Sequence, residues 1–530
     1  MDWLIVFRRA ADLLSVSAMA AIVAAVIAAP VLRAPSDRIF GMDIVGRHHD
    51  PFTVMEQFAR PIGIGMYSQP VTDIAGALIA RIAGAVAAYN WLVLLSFPFA
   101  AAATYALARH LALAPTGARV AAMAYAFAPF HLAQAAYHPH VAQTQWIPLY
   151  LLALWRCLDD ATPVAIAFLV VATATVTLSN FYGGMIAAVI TPVAAAAYWL
   201  VMDPTQRRSM RSLAVTLSVL ALMAAAGLAY VWYAAHAVAT NRMAFAFPRD
   251  DLFRYSAKWW SYLVPPIEHP LLGAPARRLW TAAGVREGLL EHQVSLGWSI
   301  VALGGIAIVR WAGRDRETAS LARVPAIVLV AITALVCSLS PERIIDGVTL
   351  VRPSALLYHV VPMFRSYARF GVVVQLMAAL LAGIGVDALR RSATRRAHIV
   401  AAALVILAIG EYAVWPPTMW RDVLPTAAHR WVVQQPGTTR ALDCTPFDQE
   451  SESVQWLTND RIALLGGPVE SCTDGELAHK LAARGYSYLI VRRASIDGRS
   501  FADDRAPTGM SIVGGFADGQ VLAVNPREQR

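Results

Sequence analysis

Residues 36–52 read Ser36-Asp37-Arg38-Ile39-Phe40-Gly41-Met42-Asp43-Ile44-Val45-Gly46-Arg47-His48-His49-Asp50-Pro51-Phe52. Three carboxylates and two histidines share this short stretch, just after an apolar block. A carboxylate within hydrogen-bond reach of a hydroxyl can take its proton as a general base, and carboxylate oxygens also hold hard divalent cations. Asp50 and Asp43 are the candidates for the first role. Asp43, His49 and Asp50 are the candidates for holding a metal such as Mg or Mn. His48 and His49 are adjacent, so their rings need not face one ligand. Asp50-Pro51 also reads as a helix start, with Asp as N-cap and Pro at the first helical position, which leaves Asp50 a capping role beside the chemical one. The stretch that follows is amphipathic and fits a helix lying on a membrane surface.

Such residues need a scaffold at a lipid–water boundary, and the composition supplies one. Of 530 residues, 58% are hydrophobic and 15% charged, and mean hydropathy is +0.51. A soluble domain of this length needs far more polar surface. The apolar residues come in blocks of about 20, enough to cross a hydrocarbon core of about 30 Å. They fall at 10–32, 91–111, 118–137, 141–157, 163–180, 184–202, 212–234, 294–312, 322–340, 371–389 and 397–415. The spacing predicts a mostly α, polytopic bundle of about eleven membrane helices. The first block exceeds a signal peptide's apolar region, which favours a retained helix over a leader ending near Ala28-Ala29-Pro30.

Alternate connections carry the cations: Arg8 and Arg9, then Arg109 and Arg119, Arg156, Arg207 to Arg211, Arg310 to Arg323, and Arg390 to Arg396. Short cation-rich loops stay in the cytoplasm. The N-terminus is therefore expected inside, and the long connections 33–90, 235–293 and 341–370 outside, together with the tail 416–530. The net charge is +9, yet its cations form no single polar domain, which speaks against nucleic-acid binding.

The 235–293 connection departs from the charge rule, with Arg242, Arg249, Arg254, Lys258, Arg277, Arg278 and Arg286. Long loops obey that rule weakly. These cations fit either lipid headgroups or a wall for an anionic lipid-linked substrate, and Lys258-Trp259-Trp260-Ser261-Tyr262 fits an interfacial anchor. Glu411 lies near the outer end of the last helix and needs a partner at that depth. Asp387 is expected to pair locally with Arg390 and Arg391. Past residue 415 the apolar runs shorten to strand length. Strands are expected at 462–465 and 486–491, a helix at 476–483 stopped near Gly485, and a hairpin of 511–516 and 520–525 about Ala517-Asp518-Gly519. The tail thus reads as a small extracytoplasmic α/β domain, with residues 1–415 as the membrane part. Outside the cytoplasm, Cys444 and Cys472 could pair, a link worth roughly 3–4 kcal/mol. No cysteine spacing suggests zinc.

Further runs follow in order along the chain. After Asp50-Pro51 come Tyr67-Ser68-Gln69-Pro70, Tyr89-Asn90-Trp91-Leu92, Phe127-Ala128-Pro129-Phe130-His131, His138-Pro139-His140 and Gln143-Thr144-Gln145-Trp146. Tyr262-Leu263-Val264-Pro265-Pro266 with His269-Pro270, Pro362-Met363-Phe364-Arg365 with Ala368-Arg369-Phe370, and Arg484-Gly485-Tyr486 continue the series. In this order they resemble a broad group of bacterial multi-spanning proteins of the GT-C glycosyltransferase superfamily, including relatives of the YfhO type. His49 stands where that group often has Gly.

The resemblance implies an inverting sugar transfer on the outer face of the bacterial cytoplasmic membrane. The donor would be a polyprenyl-phosphate-linked sugar, and the acceptor a glycan, lipid or protein. It implies Asp50 as base with Asp43 as its partner, and Arg365 and Arg369 as a phosphate clamp. His138, His140, His269 and Tyr67 would contact substrate. Two rivals stand beside it: a lipid-linked glycan transporter or flippase, and a non-catalytic envelope-assembly scaffold. Transporters place polar, broken helices at the midplane; here the midplane runs are apolar.

Overall fold

The computed structural model describes residues 3–42, 50–59, 69–201, 210–238, 246–285, 288–313, 319–424, 426–436, 439–446, 454–455, 457–465, 472, 476–492 and 506–525. The fold is mostly helical, and every apolar block of the sequence contains a helix. Among the described residues seven helices are long and apolar enough to cross a membrane, within 10–27, 85–110, 181–201, 210–229, 319–338, 367–391 and 395–418. Pro163–Ser179 and Trp298–Ala312 are shorter apolar helices. The blocks at 118–137 and 141–157 are not single spans: they hold Pro115–Ala126, Pro129–Ala135 and Trp146–Asp159. Pro129 lacks the N–H that would continue the first of these, and Ala128 before it is extended, at φ −58° and ψ 145°. The chain is thus a multi-pass membrane bundle; among the described residues it has seven helices long and apolar enough to span, two shorter apolar ones and a broken pair.

Gly371–Arg391 is the central helix, almost wholly buried. It packs against Pro115–Ala126 and Trp298–Ala312 at glycine contacts. A Cβ at Gly383 would strike the backbone of Gly117, and one at Gly385 the backbone of Leu303. Where lipid tails give helices no hydrophobic reason to associate, such small residues let backbones approach closely.

Among the described residues the charged contacts sort to the two ends of the bundle. At one end, Arg119 pairs with Asp12 at 2.6 Å and His110 meets Asp159 at 3.2 Å. There Asp387, expected to pair with Arg390 and Arg391, instead accepts from the N–H groups of Ala114 and Gly117 (2.7 and 3.0 Å), at the start of Pro115–Ala126. An acid at a helix N-terminus satisfies orphan donors and the helix dipole. At the other end, the Asn90 amide donates to the carbonyls of Pro35 and Arg38, its oxygen accepts from Phe40 N–H, and Thr72 donates to Ser179 carbonyl. Glu411 finds its partner here: it accepts from the N–H (3.0 Å) and hydroxyl (2.9 Å) of Ser299, capping Trp298–Ala312.

The tail joins this same end. Trp420–Asp422 pairs antiparallel with Arg38–Phe40. Beyond it lies a five-stranded sheet in the order Ile462–Leu465, Ala441–Pro446, Tyr488–Arg492, Gly519–Val524, Met510–Phe516. The first three strands are parallel and the last two antiparallel to their neighbours. Helix Leu477–Ala483 ends at Gly485, whose φ of +76° suits glycine. Cys444 and Cys472 form a disulfide, with Cα atoms 6.0 Å apart. A second hairpin, Glu342–Ile345 with Val348–Val351, rises from the 341–370 connection.

Candidate active site

Arg369 and Glu291 meet at the tail-side end of the bundle. Arg369 sits in the 3₁₀ turn Tyr367–Phe370 that opens the central helix. Glu291 lies in the turn that precedes Trp298–Ala312. Both are buried, at 6% and 4% exposure. The guanidinium donates through Nε to both carboxylate oxygens at 3.1 Å and through Nη2 to Oε1 at 2.5 Å. Such charge-assisted bonds are shorter and stronger than neutral ones. The same guanidinium lies 4.0 Å from the centroid of the Tyr182 ring, a cation–π contact.

A second layer surrounds the pair. The Gln134 amide donates to Glu291 at 3.5 Å, and its oxygen meets His138 Nδ1 at 2.7 Å. Burial pushes the Glu291 carboxyl up, but the charge and hydrogen bonds of Arg369 hold it below the usual carboxylate range. Burial and the nearby Lys258 push the His292 imidazole down to about 4, so it sits here as a neutral ring against Trp280, centroids 5.0 Å apart.

Beside Arg369 lies a cavity of about 20 Å³, lined by Phe130, Trp146 and Tyr182 and by the polar Gln143, Thr144, Ser179 and Asn180. The hydroxyls of Thr144 and Ser179 are buried without a hydrogen-bond partner. A polar cavity of that size accommodates about one water. Near it, His140 pairs with Asp73 at 2.7 Å, and Asp73 also accepts from Gln69 N–H at 2.8 Å. Asp73 lies in the first turn of Pro70–Ala83. The pair ties the 138–145 loop to the first long connection.

The residues singled out in sequence fare differently. Asp43, His49 and Tyr67 lie outside the described residues. Asp50 opens the helix Asp50–Ala59, as its Asp-Pro pattern predicts; its side chain is likewise outside the description. That helix buries Val54, Met55 and Phe58. His138 joins the Arg369 cluster and His140 reaches Asp73. Arg365 and Arg369 address different partners: Arg365 pairs with Asp251 at 3.0 Å and lies 4.1 Å from the Phe247 ring centroid. His269 accepts through Nδ1 from the N–H groups of Leu271 and Leu272, and its Nε2 meets the Gly410 carbonyl at 2.8 Å. Both its nitrogens are thus engaged within the protein. Sequence reading leaves Glu291, with His292, between lining the cavity and capping a helix, and does not assign Asp73 to the site. Gln69-Pro70 with Asp73 carries the signal of an acid in a first helical turn; the Arg369–Glu291 pairing spans 78 positions and leaves no local signal. Among the described residues no three His, Cys, Asp or Glu side chains gather as a metal site.

A family model described as Domain of unknown function (DUF6311) matches residues 47–410. No curated protein matches. Among solved structures, the arabinofuranosyltransferase AftD from Mycobacteria aligns at TM-score 0.50 and 15% identity, over 97% of this chain and 40% of that one. This chain therefore spans well under half of the mycobacterial protein's length. ArnT from Cupriavidus metallidurans bound to undecaprenyl phosphate aligns at TM-score 0.51 and 11% identity, over 96% of this chain and 98% of that one. At these identities the likeness establishes the fold alone: the membrane fold of these two proteins, along nearly the whole of this chain.

Proposed function

This chain belongs to the DUF6311 family, and we propose that it is a membrane glycosyltransferase moving a sugar from a polyprenyl-phosphate-linked donor to an extracytoplasmic acceptor. The observation that carries the reading is the buried Arg369–Glu291 pair, set with His138 beside a polar cavity at the end of a GT-C-type bundle where the first long connection enters. The lipid phosphate bound by the Cupriavidus protein is the class of donor proposed here.

In this reading Asp50 takes the proton of the acceptor hydroxyl as its oxygen attacks the anomeric carbon, with Asp43 as its partner. The bond to the lipid phosphate breaks on the opposite face, its electron pair leaves with the phosphate, and the anomeric centre inverts. Arg365 and Arg369 supply positive charge toward the departing phosphate. Arg365, 36% exposed, is the more accessible of the two. Tyr67, His138, His140 and His269 border the substrates. Asp43, His49 and Asp50 are the residues that would hold Mg or Mn; no step is routed through a metal. The arginine-rich connections support an N-terminus inside and residues 416–530 outside the bacterial cytoplasmic membrane.

The test replaces Asp50 and Asp43 singly by Asn, in cells and in purified protein. Loss of glycan transfer from protein that is inserted and thermally stable as wild type supports the reading. Unchanged product from both variants removes the proposed base. A flippase would retain lipid translocation in both.

A further inference from the structure

The hairpin Glu342–Ile345/Val348–Val351 and the helix Pro353–Val360 after it play no part in the reaction above, and they present apolar side chains outward. The hairpin turns at Asp346-Gly347, with φ +48° and +81°, the backbone of an Asp-Gly two-residue turn. Across the ladder Ile344 faces Thr349 and Ile345 faces Val348. Since neighbouring residues point to opposite faces, both faces carry branched aliphatic groups. Ile344 is 71% exposed, Val348 69% and Val351 65%, and Leu356 and Val360 continue the patch at 68% and 73%. A two-stranded hairpin has no core of its own and is marginal in water. An apolar patch of this extent marks a surface that something covers.

The surroundings say what covers it. The hairpin leaves directly from the end of the membrane span 319–338, whose Leu329 and Ile332 are exposed. Its base lies beside Leu339, which bridges to Ala257, two residues before the exposed Trp259. Trp91, Trp298 and Trp415 stand exposed at the same end of their helices. Indole rings mark the headgroup layer, so the hairpin's base is at that level and its apolar faces continue the lipid-facing surface. Arg249, paired with Glu342 at 3.1 Å, and the exposed Arg343 flank the strands; guanidinium forks match phosphate oxygens.

We propose that residues 342–360 lie in the headgroup region of the adjoining lipid leaflet, with the hairpin's aliphatic groups against acyl chains and Arg249 and Arg343 against lipid phosphates. The chain then has a lipid-seated element within the same connection that carries Arg365 and Arg369. This proposal requires only that the bundle spans a membrane, so it stands or falls apart from the transferase reading.

The test is nitroxide accessibility in full-length protein reconstituted in phosphatidylethanolamine–phosphatidylglycerol vesicles. Val348→Cys and Leu356→Cys change exposed positions. Cys157 and Cys337 are buried and the other two cysteines are bonded to each other, so an introduced thiol is the one that labels, with wild type as the background. Ile512→Cys on the tail sheet is the water-facing control. The expected result is several-fold preferential relaxation of both hairpin-region labels by oxygen, which concentrates in lipid, over a water-soluble nickel chelate, with the control reversed. Labels relaxed mainly by the nickel chelate overturn the proposal. Labels shielded from both reagents, or dipolar coupling between labels on two chains, assign the patch to a protein contact and equally overturn it.

Discussion

Glu291→Gln removes the charge against which Arg369 is held. The guanidinium is 6% exposed and the carboxylate 4%, so neither regains hydration when its partner is lost. Breaking one side of a buried ion pair costs about 3–5 kcal/mol. Gln preserves the shape and one acceptor, which puts the variant near the lower end, about 3 kcal/mol. Arg369→Gln leaves the carboxylate in the same position and costs a comparable amount. The double variant leaves no uncompensated charge, so its loss is smaller than the sum of the two. Thermal unfolding of the four purified proteins, followed by tryptophan fluorescence in one detergent, measures this cycle. The pH dependence has a fixed sign. Because the Glu291 carboxyl is held below its ordinary range, its contribution is complete above that range, near pH 4, and fades as pH falls through the lower folded value. The gap between wild type and Glu291→Gln therefore narrows in acid. Single variants that unfold with wild type, or a double variant equal to the sum, would refute the reasoning.

Replacing Cys444 and Cys472 by Ser opens a link between positions 28 apart and destabilises the tail by roughly 3–4 kcal/mol; denatured wild type should show two alkylatable thiols before reduction and four after. In the tail, burial pushes the His429 imidazole down even though Asp443, at 2.8 Å, favours its charged form. Below about pH 6.5 the unfolded chain binds a proton that the folded one resists, so the tail loses stability on acidification, and His429→Gln should flatten that slope in hydrogen exchange. Asp443→Asn leaves the Arg492 guanidinium, now at 2.5 Å from Asp443, without its counter-charge, and protection of the sheet amides should fall sharply. Asp73→Asn weakens the tie to His140; increased protease cleavage in the first long connection of the folded protein is the expected outcome, and unchanged cleavage would show that the pair does not anchor it.

Part of the tail was legible nearly to the residue because its punctuation is local, while the inner strand Ala441–Pro446, the strand Trp420–Asp422 and the helix Ala427–Gln434 carry no such punctuation and were missed. The strand at 462–465 is found unchanged as Ile462–Leu465, and Gly485 and Gly519 end a helix and open a strand where glycine was read as a stop or turn. Asp50-Pro51 likewise fixed a helix start through chemistry within two residues. Hydropathy blocks overlap each of the seven long apolar helices among the described residues, but treat 118–137 as continuous, since block counting weighs apolar character above the backbone effect of Pro129. The hairpin at 342–351 was within reach: Asp346-Gly347 between β-branched residues is a turn signal, hidden inside a connection read as loop. The Arg369–Glu291 and Asp73–His140 pairs were not legible, because packing of distant segments creates them. Asp387 suggested a pair with its neighbours on the same helix when its hydrogen-bond donors lay at the start of another.

The most direct test of the central claim is turnover of a labelled polyprenyl-phosphate sugar by purified protein in vesicles supplied with a membrane extract as acceptor. The account predicts release of the free polyprenyl phosphate together with transfer of the label, abolished by Asp50→Asn or Asp43→Asn. Donor that stays intact with wild-type protein across a panel of such sugars, or is consumed equally by both variants, would contradict it.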